Sequence, residues 1–147
     1  MNPLADRVPL LLAALWWGGM SALSFVAVPL LFAHFGQPAL AGPVAAKLFQ
    51  IQSWASLGAA LLLGLWARAR DEAQTLRALL PWLLLAALAG LAQEFGVAPR
   101  IIAARASAES VVPWHRLGTF LVLLQWLAAL RTLWALSLPS RPVAARP

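Results

Sequence analysis

The residue in this sequence with the clearest chemical potential is Glu94, which interrupts a long apolar run together with its neighbour Gln93. If that run crosses a bilayer as a helix, Glu94 lies roughly 9 Å from the bilayer centre, inside the hydrocarbon. A lone carboxylate at that depth is costly, so it must either pair with a cation or carry a proton. A protonated Glu94 is a candidate proton relay.

Other polar side chains are expected on the same side of the bilayer centre. Gln50 is roughly 11 Å from the centre of its own apolar run. His34, Lys47, His115 and Arg116 are expected somewhat farther out, at the outer ends of the spans. Together these positions predict one polar pocket in the outer half of the protein. In the alternative interpretation, Glu94 only fixes helix register through a hydrogen bond, and the histidines extend into the headgroup region. The candidate ligand or proton pocket comprises Glu94, Gln93, Gln50, Lys47, His34, His115 and Arg100.

His34 and His115 also raise the question of a metal ion or a haem, since imidazole is a ligand for both. Neither histidine has a second histidine four residues on, and the sequence has no Cys-x-x-Cys-His motif. Cysteine is absent, which excludes disulfides, thiolate ligands and cysteine nucleophiles. The sequence therefore requires no cofactor, and a haem or metal ion held by these two histidines stays an open hypothesis.

No pattern typical of an enzyme accompanies these residues. The chain lacks a Gly-x-Ser-x-Gly turn, a phosphate-binding loop and a dinucleotide-binding motif. We therefore predict no catalytic residue and favour a non-enzymatic protein.

Composition indicates which elements must position the candidate residues. Of the 147 residues, 62% are hydrophobic and 11% are charged, against about a quarter charged in soluble domains. A soluble domain of this size could not hide so much apolar surface from water. The sequence therefore predicts an all-α membrane protein, an antiparallel bundle of four transmembrane helices that forms a single domain.

The four spans are predicted at about 8–35, 48–67, 79–98 and 114–136, with a disordered cytoplasmic tail over 137–147. Gly36, Pro38, Gly42 and Pro43 predict a loop between the first two spans. Pro99 marks the predicted end of the third span, and residues 101–112 are read as an amphipathic connector. Pro29 lies inside the first span and is expected to kink it, because it cannot donate to a carbonyl in the preceding turn.

The basic residues predict the orientation. With the N-terminus in the cytoplasm, seven of the 11 basic residues are cytoplasmic and four are outside. We therefore expect a multi-pass protein of the bacterial inner membrane with both termini cytoplasmic. The net charge of +6 does not indicate nucleic-acid binding, since the basic residues flank apolar runs singly. The expected partners are the lipid bilayer and either a second copy or another membrane subunit.

Four stretches together suggest a family, and they occur in order along nearly the whole chain. The four stretches are Trp17-Gly18-Gly19 with Phe25 and Pro29-Leu30-Leu31-Phe32, Lys47-Leu48-Phe49, Val97-Ala98-Pro99-Arg100-Ile101, and Trp114-His115-Arg116-Leu117-Gly118. With them the chain resembles the bacterial family called domain of unknown function 4149, which is related to the eukaryotic transmembrane protein 205.

That family is in turn similar to a wider group of four-span proteins that includes the copper-resistance D domain and a membrane protoporphyrinogen oxidase. The resemblance implies an inner-membrane four-helix bundle. It also offers metal handling and haem chemistry as distant functional analogies, although a shared fold does not fix function.

Three functions remain open from the sequence. The first is a non-enzymatic role in transport, in ion or metal handling or in stress tolerance, through the outer polar pocket. The second is a haem-binding redox protein that uses His34 and His115. The third is a structural subunit of a membrane complex with no ligand.

Overall fold

The computed structural model describes residues 3–70 and 73–138, and these form four long helical rods. The first rod consists of α1 (Pro3–Ala22), a π-helical turn (Leu23–Ala27) and α2 (Val28–Phe35). The second rod is α3 (Pro38–Ala69). The third consists of α4 (Ala73–Leu91), a second π turn (Ala92–Val97) and α5 (Ala98–Ala106), and the fourth is α6 (Val112–Ser137).

All four rods are long and apolar enough to cross a membrane, which confirms the predicted fold class. Leucines such as Leu15, Leu61 and Leu88 are exposed on their outer faces, where a soluble protein would carry polar residues. Because lipid is the solvent that suits such a surface, the chain is an integral membrane protein.

Short turns join the rods at the end of the bundle that we call the distal end, opposite the two chain termini. Gly36 and Gln37 connect α2 to α3, and residues 107–111 connect α5 to α6. Gly36 has a φ of 61°, and its N–H donates to the Phe32 carbonyl at 3.0 Å, which closes the C-terminus of α2. Glycine suits this left-handed conformation because it has no Cβ to clash with the backbone.

The turn between the first two rods is shorter than the predicted loop. Gly42 and Pro43, which we expected to lie in that loop, are inside α3. Pro38 occupies a favoured position at the start of this helix, and the helix continues through Pro43, which has no N–H to donate to the Ala39 carbonyl. The helix bounds therefore extend beyond the predicted second span, and the prediction of a loop over these residues is wrong.

The third rod also continues past its predicted end. Pro99 does not terminate the helix, because α5 runs on to Ala106 through most of the expected connector. Much of the predicted tail lies outside the described residues, and α6 includes its first residue, Ser137.

Both π turns end two residues before a proline. Leu23–Ala27 precedes Pro29, and Ala92–Val97 precedes Pro99. Proline lacks an N–H and crowds the carbonyl four residues earlier, here that of Phe25 or Phe95. The wider π turn takes up this disruption without breaking the rod, so the expected disturbance before Pro29 takes the form of a π turn.

The four rods pack in a ring. Each rod contacts the next one along the chain, and the fourth rod also contacts the first. The core fills the half of the bundle nearer the chain termini and is built largely from alanine, which lets the helices approach closely. The larger members of this core are Trp16, Met20, Leu63, Leu79 and Leu83.

At the distal end the packing changes. There α2 packs chiefly against α3, and α5 packs against α6. The two helix pairs leave a space between them that the core side chains do not reach.

Candidate functional site

The space at the distal end is a chamber of about 730 Å³ lined by all four rods. Its floor is formed by Trp126 and Phe25, whose rings meet edge to face with centroids 6.0 Å apart. The Trp126 Nε1–H donates to Ser21 Oγ at 2.8 Å, which fixes the indole in place. The first rod contributes a mainly apolar wall through Phe25, Val28 and Phe32.

The opposite wall carries a chain of hydrogen bonds between two rods. Lys47 Nζ donates to Gln50 Oε1 at 2.6 Å, and Gln50 Nε2 donates to Glu94 Oε1 at 2.5 Å. Lys47 and Gln50 lie three residues apart on α3, one turn of helix, so both face Glu94 in the second π turn. The amide of Gln50 thus links a cation to a carboxylate that the sequence places inside an apolar run.

Gln93 also lines the chamber, on the side facing α6. Its amide packs against Gly118, and its Oε1 atom is buried without a hydrogen-bond partner. A buried acceptor without a donor is costly, so this position favours a water or ligand group nearby.

Two further cationic or titratable groups lie nearer the distal end. Arg105, in the last turn of α5, reaches across the chamber to Gly42 of α3. A Cβ atom at position 42 would stand 3.0 Å from Arg105 Nη2, so the guanidinium lies close against the helix where glycine leaves room for it. His115, near the start of α6, is exposed and lines the same chamber.

The structure brings five of the seven candidate residues together and separates two. Lys47, Gln50, Gln93, Glu94 and His115 line the chamber. His34 and Arg100 are not among its lining residues. His34 is exposed at the end of α2 with its ring centroid 5.4 Å from that of Phe35, and the Arg100 guanidinium lies 4.6 Å from the centre of the Trp114 ring.

Within residues 3–70 and 73–138, no group of three or more His, Cys, Asp or Glu side chains is placed to hold a metal ion. His115 faces the chamber and His34 lies outside its lining, so the structure does not assemble the two histidines in one cavity. A haem or metal ion held by this pair stays a prediction from the sequence.

The family model described as "domain of unknown function (DUF4149)" matches residues 11–110. The chain belongs to this family. No curated protein and no solved structure shows significant similarity to it. The matched region includes the Lys47–Gln50–Glu94 chain and Arg105, whereas His115 and the floor residue Trp126 lie beyond it.

Sequence reasoning missed Arg105 as a member of the site. It read residues 101–112 as a connector because Pro99 and Arg100 resemble a span edge. The sequence is compatible with a helix that continues past Pro99. Ile101, Ala104 and Arg105 have the spacing of residues on one helix face, and Pro99 stands in the first turn of α5, where proline is tolerated. The reach of Arg105 to Gly42 depends on the packing of the rods and has no signal in the sequence.

Proposed function

We propose that this protein is a non-enzymatic membrane protein that binds a small organic molecule in the distal chamber. The carrying observation is a chamber of about 730 Å³ between all four rods, with the Lys47–Gln50–Glu94 hydrogen-bonded chain on one wall. Volumes of about 300–1,000 Å³ are typical of sites for drug-sized ligands. A bare ion would need a far smaller and more polar site, so the volume favours an organic molecule.

The arrangement suits a molecule that is mostly apolar with a polar group. Phe25, Val28 and Phe32 of the first rod offer apolar contacts, and Val122 and Leu123 do the same from α6. The polar wall supplies donors and acceptors that would orient one polar group of the ligand. Through such a site the protein would carry its ligand across the membrane or protect the cell from membrane-active compounds.

We also propose that the protein lies in the bacterial inner membrane with its termini in the cytoplasm, so the chamber opens near the outer face. This orientation rests on the excess of basic residues that flank the spans on the terminal side. We further propose that the protein is related to transmembrane protein 205 and, more distantly, to copper-resistance D proteins. This relationship rests on the four short sequence stretches and on the bundle of four rods.

A filled-chamber variant tests the binding function. The purified protein in phosphatidylcholine nanodiscs is titrated with N-phenylnaphthylamine, an uncharged probe that fluoresces in apolar sites. The wild-type chain is expected to show saturable binding above the lipid background. Ala46→Trp, which places an indole in the chamber, is expected to abolish the saturable component.

Ala39→Trp is the matched control, since Ala39 is an exposed residue on the same helix and does not line the chamber. This variant should bind the probe as the wild-type chain does. Equal fluorescence from wild-type protein and Ala46→Trp at every probe concentration would refute the binding function.

A further inference from the structure

The charges that face the chamber are unequal in number and position. Its lining includes two permanent cations, Lys47 and Arg105, one carboxylate, Glu94, and the titratable His115. The carboxylate is linked through Gln50 to Lys47, so these two charges are already coupled. Among the described residues this leaves the guanidinium of Arg105 as the uncompensated charge of the chamber.

Arg105 is an exposed cation with no counter-ion in residues 3–70 and 73–138, and its guanidinium lies over the chamber and does not extend away from the bundle. Within the described part of the chain its guanidinium makes no hydrogen bond or ion pair, yet it lies across the chamber against Gly42. An exposed arginine at a helix end is free to extend into water instead. A planar guanidinium offers five N–H donors in a fork that matches the oxygens of a carboxylate or phosphate.

Apolar residues line the chamber between Arg105 at the distal end and the floor at Trp126. Arg105 follows Glu94 by 11 residues, about 16 Å along the rod, so the cation is at the distal end and the carboxylate is deep. Between them the apolar residues of the first rod and α6 extend to the floor at Trp126. A molecule with its anionic group at Arg105 would therefore place an apolar chain along these walls and away from Glu94.

We infer that the ligand of the chamber is an anionic amphiphile with a single apolar chain and a carboxylate or phosphate head. Arg105 binds the head, and the apolar walls bind the chain. The inference rests on the proposed binding function and narrows it to one chemical class. A cationic amphiphile is disfavoured because it would have to pass Arg105 and Lys47 before reaching Glu94.

The test compares four probes that share a dodecyl chain and differ only in the head. Dodecanoate, dodecyl phosphate, dodecanol and dodecyltrimethylammonium each compete with N-phenylnaphthylamine for the protein in phosphatidylcholine nanodiscs. The two anionic probes are expected to compete about tenfold more strongly than the alcohol, as one charge-assisted contact would give. The comparison of carboxylate with phosphate separates a fatty-acid head from a phospholipid-like head.

Arg105→Gln is expected to remove most of the preference for anionic heads while dodecanol competes as before. Arg116→Gln is the matched control, because Arg116 is an exposed arginine at the same end that does not line the chamber. It removes the same charge and should leave the preference intact. Equal losses in the two variants would assign the preference to general surface charge and overturn the role of Arg105.

The outcomes separate the inference from the function on which it rests. Competition by all four probes with equal strength, or strongest competition by the ammonium probe, overturns the anionic class and leaves the binding function standing. Absence of saturable N-phenylnaphthylamine binding removes both.

Discussion

Hydrogen bonds between neighbouring side chains stabilise the polar residues of the chamber. Glu94 is half-buried, and its Oε1 atom accepts a hydrogen bond from Gln50. Gln50 in turn accepts one from Lys47. In an apolar environment such a chain stabilises each member, and the loss of one leaves its partner without a bond.

Removal of the Glu94 carboxylate should therefore destabilise the bundle. Glu94→Ala leaves Gln50 Nε2 without its acceptor, and we expect the free energy of unfolding to fall by about 1–3 kcal/mol. Glu94→Gln keeps an oxygen acceptor and should cost less. Equilibrium unfolding in mixed micelles, followed by tryptophan fluorescence, measures both.

Glu109→Ala is the control for this measurement, because Glu109 is an exposed acidic residue in the turn before α6. Its removal should change the free energy of unfolding little. If Glu94→Ala and Glu109→Ala have the same effect, the hydrogen-bonded chain contributes nothing to stability.

At the scale of elements, hydrogen bonds between side chains join neighbouring helices inside the bundle. Trp16 Nε1 donates to Ser56 Oγ at 3.0 Å, and both residues are buried between α1 and α3. Helices in lipid gain little from the hydrophobic effect between them, so close packing and such bonds hold them together.

The Trp16–Ser56 bond should be visible as a coupling energy between α1 and α3. Ser56→Ala leaves a buried indole N–H without an acceptor, while Trp16→Phe removes the donor itself. In the double variant neither group is left unsatisfied, so we expect a coupling of about 1 kcal/mol in a double-mutant cycle. Losses that add without coupling would show that the bond does not stabilise this helix pair.

The π turns show how element boundaries escaped sequence reasoning. Two similar sequences, Phe25 to Pro29 and Phe95 to Pro99, each begin inside a π turn and end in the α-helix that continues the same rod. A proline after an apolar run is an ordinary sign of a helix end, so the sequence predicts that the third span ends before Pro99. The π turn removes the clash locally, so the helix continues and carries Arg105 into the chamber.

At the scale of the whole molecule, the two halves of the bundle differ. The half near the termini contains the alanine-rich core, and the distal half contains the chamber. A binding function at one face of the membrane therefore depends on which way the bundle is inserted.

The orientation can be measured with reporters. The seven basic residues on the terminal side predict that a green fluorescent protein fused to the C-terminus fluoresces in the cytoplasm. Alkaline phosphatase inserted in the turn at residues 107–111 should be active, because that enzyme requires the periplasm. An active phosphatase at the C-terminus would reverse the predicted topology.

The sequence by itself determined the fold class, because four apolar runs with few charges leave a helical bundle in lipid as the stable arrangement. It also singled out Glu94 and Gln50, since polar residues in apolar runs are costly and therefore conspicuous, and Lys47 at the start of the second run. Only the tertiary structure decided how these residues meet, that His34 and Arg100 lie outside the chamber lining, and that Arg105 reaches Gly42. Those facts depend on helix rotation, on the π turns and on the separation of two helix pairs, and one-dimensional periodicity fixes none of them.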